Sequence, residues 1–404
     1  MESKKYSKHK RILLFFSGGL DTSFLLNYFT EEFHAEVITV AFDLGGDALE
    51  VSQLEQRARS LGSTKHILLD ARKEFIEQYC WRAVKANALF QGMHPLSSSL
   101  SRPLMAKSGV ALAKKYMCSA IMHGSNGWQN NSARFDTAIR VLSDKLEIIE
   151  PIMEQNISRE FAYKYLQQKG LQIDKKEDDL FSSDNNIWGR EVEDGVLDHL
   201  EEAPKEGIYR ITISPEKASD QAEYVSIGFV DGAPSLVNGK KLPPLEIVTM
   251  LNTIGGKHGI GRHDALEDKN IGYKMREIHE SPAATLLIQA HKDLENTVLP
   301  RRTLRMKNSI DSEWVDLACY GLWYHPLREQ LETFIDEVNK RVSGVITLKL
   351  YKGNGSIVRR QSPYGLDKEN LEKQDTYMFT QGRHPNRNYY DFYAYEAEIA
   401  KRTE

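Results

Sequence analysis

An α/β fold class is predicted by three observations. Short apolar runs alternate with segments of helical apolar spacing over the first third of the chain. Those runs are continuous, as expected for strands buried on both faces of a parallel sheet. After about residue 170 the texture changes to alternating apolar and polar residues broken by charged stretches. The prediction is an N-terminal doubly wound parallel sheet over 1–170, a second α+β domain over 171–370 and a C-terminal tail over 371–404.

Each element follows from its local pattern. Arg11–Phe16 (RILLFF) leads into Ser17-Gly18-Gly19 and reads as a buried strand. Asp21–Phe29 carries helical spacing, Ala35–Phe42 is a second strand, Ala48–Leu61 an amphipathic helix and Lys65–Leu69 a third strand. Arg72–Ala88 and Leu104–Lys115 are predicted helices, and Ala120–His123 a strand ending at Gly124. In the second domain, Lys175–Asp179 and Glu201–Glu206 read as charged loops. Ile208–Ile213, Glu223–Phe229 and Val345–Tyr351 read as antiparallel strands, with a turn at Asp231-Gly232. The tail from Gln374 is Tyr-rich and charged.

Composition narrows the function classes. A length of 404 residues suits two domains, and 41% hydrophobic with 27% charged residues is ordinary for a soluble enzyme. The net charge of −4 argues against a nucleic-acid partner. Cys80, Cys118 and Cys319 are far apart, without metal or disulfide spacing, and read as buried apolar thiols. The apolar run Ile12–Phe16 is too short for a signal peptide, and no stretch approaches a membrane span. A cytoplasmic location is the expectation.

The sharpest local signal is Ser17-Gly18-Gly19-Leu20-Asp21-Thr22-Ser23, after a predicted strand and opening a predicted helix. Helix N-termini offer unpaired N–H groups and the positive end of the dipole to phosphate. Gly18 and Gly19 permit close backbone approach, and the hydroxyls of Ser17, Thr22 and Ser23 add donors. Asp21 repels phosphate, so a shared Mg²⁺ is its natural partner. No GxxxxGK[ST] or GxGxxG motif occurs.

SGGLDTS resembles the PP-loop of ATP pyrophosphatases, which cleave ATP between the α and β phosphates and adenylate a substrate oxygen. Five further co-linear blocks resemble the argininosuccinate synthase family: 92–106 (GMHPLSSSLSRPLMA), His123–Gly127 through Arg134-Phe135, 182–197 (SSDNNIWGREVEDGVL), 251–280 with HGIGRHDALEDKNIGYKMREIHE, and 348–354 with 362–366. The likeness spans about residues 10–370.

The resemblance implies ATP and Mg²⁺ use, adenylation of the citrulline ureido oxygen, displacement of AMP by the aspartate amine, and a homotetramer. It implies nucleotide contacts at Ser17, Gly18, Gly19, Asp21, Thr22, Ser23, Ala41 and Gly124, with Ser17, Asp21 and Ser23 catalytic and Asp21 also the metal residue. Arg134, Ser182 and Glu267 match citrulline-holding positions, and Asn130 one shared by both amino acids. Departures cluster where the amino acids are read. His94 and His279 replace tyrosines, Glu191 a serine, Asn126 a threonine and Asn131 an aspartate, while Ser98 keeps the hydroxyl of a threonine. Trp128 and Gln129 replace a lysine and a glycine. Three readings stand: argininosuccinate synthase or a close paralogue, the same mechanism on another acceptor or amine, or a catalytically weak ATP-binding regulator.

Overall fold

The computed structural model describes residues 6–46, 48–127, 130–171, 181–373 and the single position 394; the side chains of 47–52, 371 and 372 are not described. The expected loop Lys175–Asp179, Trp128, Gln129 and the tail from Gln374, apart from that single position, lie outside those residues.

The N-terminal sheet is parallel and five-stranded. Its strands are β1 (Arg11–Phe15), β2 (Glu36–Asp43), β3 (Lys65–Asp70), β4 (Ala120–Met122) and β5 (Glu147–Ile149), in the order β3-β2-β1-β4-β5. The order reverses at β1, between β2 and β4, and ligands of open α/β sheets bind at such a switch point beyond the strand C-termini. β1 is buried on both faces. Ile12, Leu14 and Phe16 enter the core under α1 (Leu20–Glu32), and Leu13 and Phe15 enter the opposite core with Val110, Ala113 and Ile139. That alternation is why RILLFF has no polar residue after Arg11.

α2 (Ala48–Ser60) follows β2, and α3 (Ser98–Lys115) and α4 (Asn131–Leu142) follow in order, with α5 (Arg159–Gln168) closing this region. α3 starts six residues before the expected Leu104, because Pro103 is accommodated inside it. The predicted helix Arg72–Ala88 is instead three pieces, with a π turn at Ile76–Cys80 between Arg72–Phe75 and Trp81–Lys85. Its buried positions include the pairs Phe75-Ile76, Tyr79-Cys80 and Ala83-Val84, with Trp81 and Ala86–Ala88 buried beside them. A repeat of four drifts off one face of an α-helix, and the wider π turn brings it back in phase.

Two antiparallel sheets build the second half. β6 (Ser182–Asn186), β7 (Gly189–Glu193), β10 (Arg262–Asp268) and β11 (Lys274–Glu280) form one, in the order β10-β11-β7-β6. β8 (Glu223–Val230), β9 (Ala233–Val237), β12 (Gly344–Tyr351) and β13 (Asn354–Gln361) form the other, with Lys240–Lys241 at its edge. The turn at Asp231-Gly232 has positive φ at both residues, +50° and +76°, as a two-residue hairpin requires. Helices α6 (Pro244–Lys257), α7 (Pro282–Val298), α8 (Arg301–Cys319) and α9 (Pro326–Asn339) complete it. A single core joins Phe75, Val84 and Leu104 to Val225, Leu286 and Leu350, so the 72–104 stretch packs with the C-terminal half.

The expected strand Ile208–Ile213 does not form. The backbone N–H groups of Arg210, Ile211 and Thr212 donate to the Glu280 carboxylate at 2.9, 3.0 and 2.9 Å, joined by the Thr212 hydroxyl at 2.6 Å. Glu280 is fully buried, so satisfying its charge outweighs a ladder for this segment.

Candidate active site

The phosphate loop sits at the C-terminal edge of the parallel sheet. Gly18 adopts φ +75°, and a Cβ there would lie 2.5 Å from Leu54 Cδ2. The Ser23 hydroxyl donates to the Gly18 carbonyl at 3.3 Å, and Ser17 Oγ lies 3.1 Å from Thr22 Oγ1. Gly19 precedes α1 with no side-chain cap on the helix. The first-turn N–H groups of α1 are therefore left for an anion. Ser17 and Gly19 are exposed at the mouth of the loop.

Gly124 reaches this loop from the end of β4. A Cβ on it would be 3.2 Å from Thr22 Cγ2 and 3.3 Å from Asp21 Cβ. Ala41 is buried near the end of β2, one residue past Val40, whose carbonyl accepts from Phe16 N at 2.9 Å. Burial pushes the Asp21 carboxyl above its ordinary range, with Arg159 acting in the opposite sense. A half-buried carboxylate whose charge is disfavoured by its surroundings suits a cation, so Asp21 fits Mg²⁺.

The second cluster forms on one face of the four-stranded sheet. Strand pairing sets Asp184 opposite Glu191, Glu191 opposite His279, and His279 opposite His263. Two residues along, Ser182 is opposite Glu193, and Glu193 opposite Glu277. The period of two puts all of these on one face, while Val192 and Ile278 turn to the other, where they pack with Leu197 and Ile208. The charged face is covered from the N-terminal half. His94 comes from a short ladder of Leu89–Phe90 with His94–Pro95, Ser98 from the start of α3, and Arg134 from α4.

Contacts across this interface are dense. His94 and His279 stack with ring centroids 3.7 Å apart and planes 16° apart. His94 Nε2 is 2.8 Å from Glu267 Oε1, and His279 Nε2 is 3.5 Å from the same oxygen and 3.3 Å from Glu277 Oε2. Lys269 pairs with Glu277 and lies 3.4 Å from both Glu193 and Glu267. Arg134 donates to Ser98 Oγ at 2.7 Å, to Asn131 Oδ1 at 3.3 Å and to the Cys319 carbonyl at 2.8 Å. The Ser98 N–H donates to Glu191 at 2.8 Å. Asn130 Oδ1 accepts from Asn270 N at 2.9 Å, and the Asn126 carbonyl accepts from Ser132 at 3.0 Å.

The charges are mutually set. Burial opposes the charge of Glu267, yet His279 and His94 hold its carboxyl well below the usual range. Burial also opposes charge on His279, but Glu267, Glu277 and Glu191 raise it to about 10. Burial and the neighbouring Glu277 push Glu193 well up. His263, behind the pair, falls to about 4 through burial and the facing His94 and His279. His94, Glu267 and His279 resemble a metal triad by proximity, with one donor atom each within 4.8 Å. Their stacking argues against it, since rings in nearly parallel planes cannot both aim a lone pair at one ion.

The structure thus gathers Ser17, Gly18, Gly19, Asp21, Thr22, Ser23, Ala41 and Gly124 at one edge. It gathers His94, Ser98, Asn131, Arg134, Glu191, Glu267 and His279 in the polar cluster, with Ser182 at the rim of the sheet. Asn130 and Asn126 lie on the segment joining the two. Asp136, five residues along α4 from Asn131, turns away from the polar face, with Oδ1 3.2 Å from His123 Nε2. Lys269, Glu277 and Glu193 were missed. Each lies two residues from a recognised position (Glu267, His279 and Glu191), so the period of a strand would have found them.

The chain matches two family models, the N-terminal HUP domain of arginosuccinate synthase over residues 11–172 and the C-terminal domain over 181–387. It is 44% identical over 88% of its length to an argininosuccinate synthase of Pyrococcus furiosus, covering 86% of that protein. It is 40% identical over 92% to one of Methanopyrus kandleri, covering 94%, and 41% identical over 90% to one of Methanocaldococcus jannaschii, covering 91%. With the Ser17–Ser23 loop at the switch point of a parallel sheet and these matches along nearly the whole chain, the protein belongs to the argininosuccinate synthase family of ATP-dependent carbon–nitrogen ligases.

Proposed function

We propose that the chain joins citrulline to aspartate in two steps. The citrulline ureido oxygen attacks the α-phosphorus of ATP; the α–β anhydride bond breaks and pyrophosphate leaves. The aspartate amine then attacks the activated ureido carbon, the carbon–oxygen bond to AMP breaks, and the amine proton is lost. The single observation that carries this reading is the uncapped start of α1 with Gly124 packed against it, within one short segment of Arg134.

The α1 N–H groups and the Ser17, Thr22 and Ser23 hydroxyls hold the phosphates and the departing pyrophosphate. Asp21 would hold Mg²⁺, which supplies charge neutralisation at the leaving group. Arg134 is buried and keeps its charge, which suits a carboxylate of the acceptor. The polar face buries the acceptor away from water that would hydrolyse an adenylate. By family resemblance the enzyme works in the cytoplasm as a homotetramer.

One observation favours a second reading, the same chemistry on a modified acceptor. Glu267, which matches a citrulline-holding position, is already engaged by two histidines. Pyrophosphate release from ATP, measured with citrulline alone and with aspartate added, tests both. Citrulline-dependent release and argininosuccinate by mass spectrometry support the first. Release that ignores citrulline but responds to another acceptor supports the second, and no release from folded protein defeats both.

A further inference from the structure

A second titratable cluster lies outside the polar face, at the end of the parallel sheet. His123 follows β4, Glu150 follows β5 and Asp136 projects from α4, so three different elements converge. His123 Nε2 is 3.2 Å from Asp136 Oδ1 and 3.6 Å from Glu150 Oε1, and one donor atom from each of the three lies within 4.8 Å of the others. His123 and Glu150 are 1% and 5% exposed. Glu150 Oε1 is buried with no hydrogen-bond partner among the described residues, and so is His123 Nδ1. Arg140, mostly exposed, places its Nη2 3.5 Å from the other oxygen of Asp136.

We infer that His123, Asp136 and Glu150 form a binding site for a divalent transition-metal ion, zinc or manganese. Bonds of about 2.0–2.2 Å to such an ion place neighbouring donors about 3.0–3.6 Å apart, and the spacing around His123 Nε2 already falls there. An imidazole with two carboxylates is a donor set for zinc or manganese rather than for calcium or copper(I). A cation between the two carboxylates would offset their mutual repulsion and satisfy the Glu150 oxygen that lacks a hydrogen bond, beyond what His123 alone supplies. Bound through Nε2, His123 carries its proton on Nδ1. The ion ties the ends of β4 and β5 to α4, two residues along that helix from Arg134.

The test uses the full chain stripped of metal by chelator, without ATP, titrated with Mn²⁺ under electron paramagnetic resonance and with Zn²⁺ by calorimetry. One ion per chain is expected, with a rise in melting temperature. Asp136→Asn and Glu150→Gln should each weaken binding by at least about tenfold and remove that rise. In the absence of metal both variants should melt no lower than the wild type, since each relieves repulsion. If either fails to fold, His123→Gln replaces it. Absence of binding by folded wild type at millimolar metal, or binding that Asp136→Asn and Glu150→Gln leave unchanged, overturns the site.

Discussion

The phosphate loop and the polar sheet face handle charge in opposite ways. The loop uses backbone: an uncapped helix start, two glycines and small hydroxyls, open to solvent at Ser17 and Gly19 while Gly18, Thr22 and Ser23 are buried. The sheet face uses side chains: Glu267, Glu277, Lys269, His94 and His279, all buried and all compensating one another. Backbone donors remain in place whatever arrives, so the loop waits for its ligand at little cost. Buried charges must be satisfied before a ligand comes, so the sheet face has built partners into itself.

The comparison can be broken at its strongest point. Lys269→Met removes the cation shared by Glu277, Glu193 and Glu267 and leaves His279 as counter-charge to Glu277 and Glu267 only, and should destabilise the fold by about 3–5 kcal/mol, read from urea unfolding. A loss below about 1 kcal/mol would show that water already reaches this face. At the loop the effect should fall on activity instead. Gly18→Val meets Leu54 and a positive φ, and is expected to lower pyrophosphate release by roughly 10²–10³-fold. A folded Gly18→Val enzyme with wild-type release would remove the loop from the mechanism.

A third measurement sharpens the electrostatic half. His279 is raised from 6.5 to about 10, so its stabilising charge is complete below about pH 6.5 and is lost as pH rises toward 10. Wild-type stability should therefore decline across that window, by an amount on the order of a few kcal/mol, and His279→Gln should flatten the decline. Equal pH slopes for both proteins would assign the loss to other groups. The smallest effect is at Asn131, whose side-chain oxygen accepts from Arg134. Asn131→Asp restores a charge for the aspartate amine worth on the order of 1 kcal/mol, so the aspartate KM should fall roughly five- to tenfold with the ATP KM unchanged. A fall of less than twofold would mean that Arg134 claims the new carboxylate.

Much of this was legible in the chain. RILLFF and AEVITVAF became β1 and β2 because continuous apolar runs suit a doubly covered sheet, whereas KHILL became β3 at the sheet edge, with Leu68 exposed. SGGLDTS became the turn into α1 because glycine and small hydroxyls at that junction have few other uses. The errors came from partners distant in sequence. Ile208–Ile213 has strand-like alternation, but its N–H groups are taken by Glu280, some seventy residues away. Arg72–Ala88 is helical in pattern, but the core it meets selects a π turn.

By itself the sequence determined the parallel sheet, the loop at its edge, the order of the blocks and the residue types available for charge. These depend on local periods and backbone geometry, which neighbours in the chain are enough to set. Tertiary structure alone decided which charges meet. Whether Glu267 faces an incoming ammonium or His94 and His279, and whether Asp136 turns to Asn131 or to His123, depends on strand register and on which helix covers which face. Electrostatic energy falls with distance and rises with burial, and both are properties of the packed molecule rather than of any stretch of its chain.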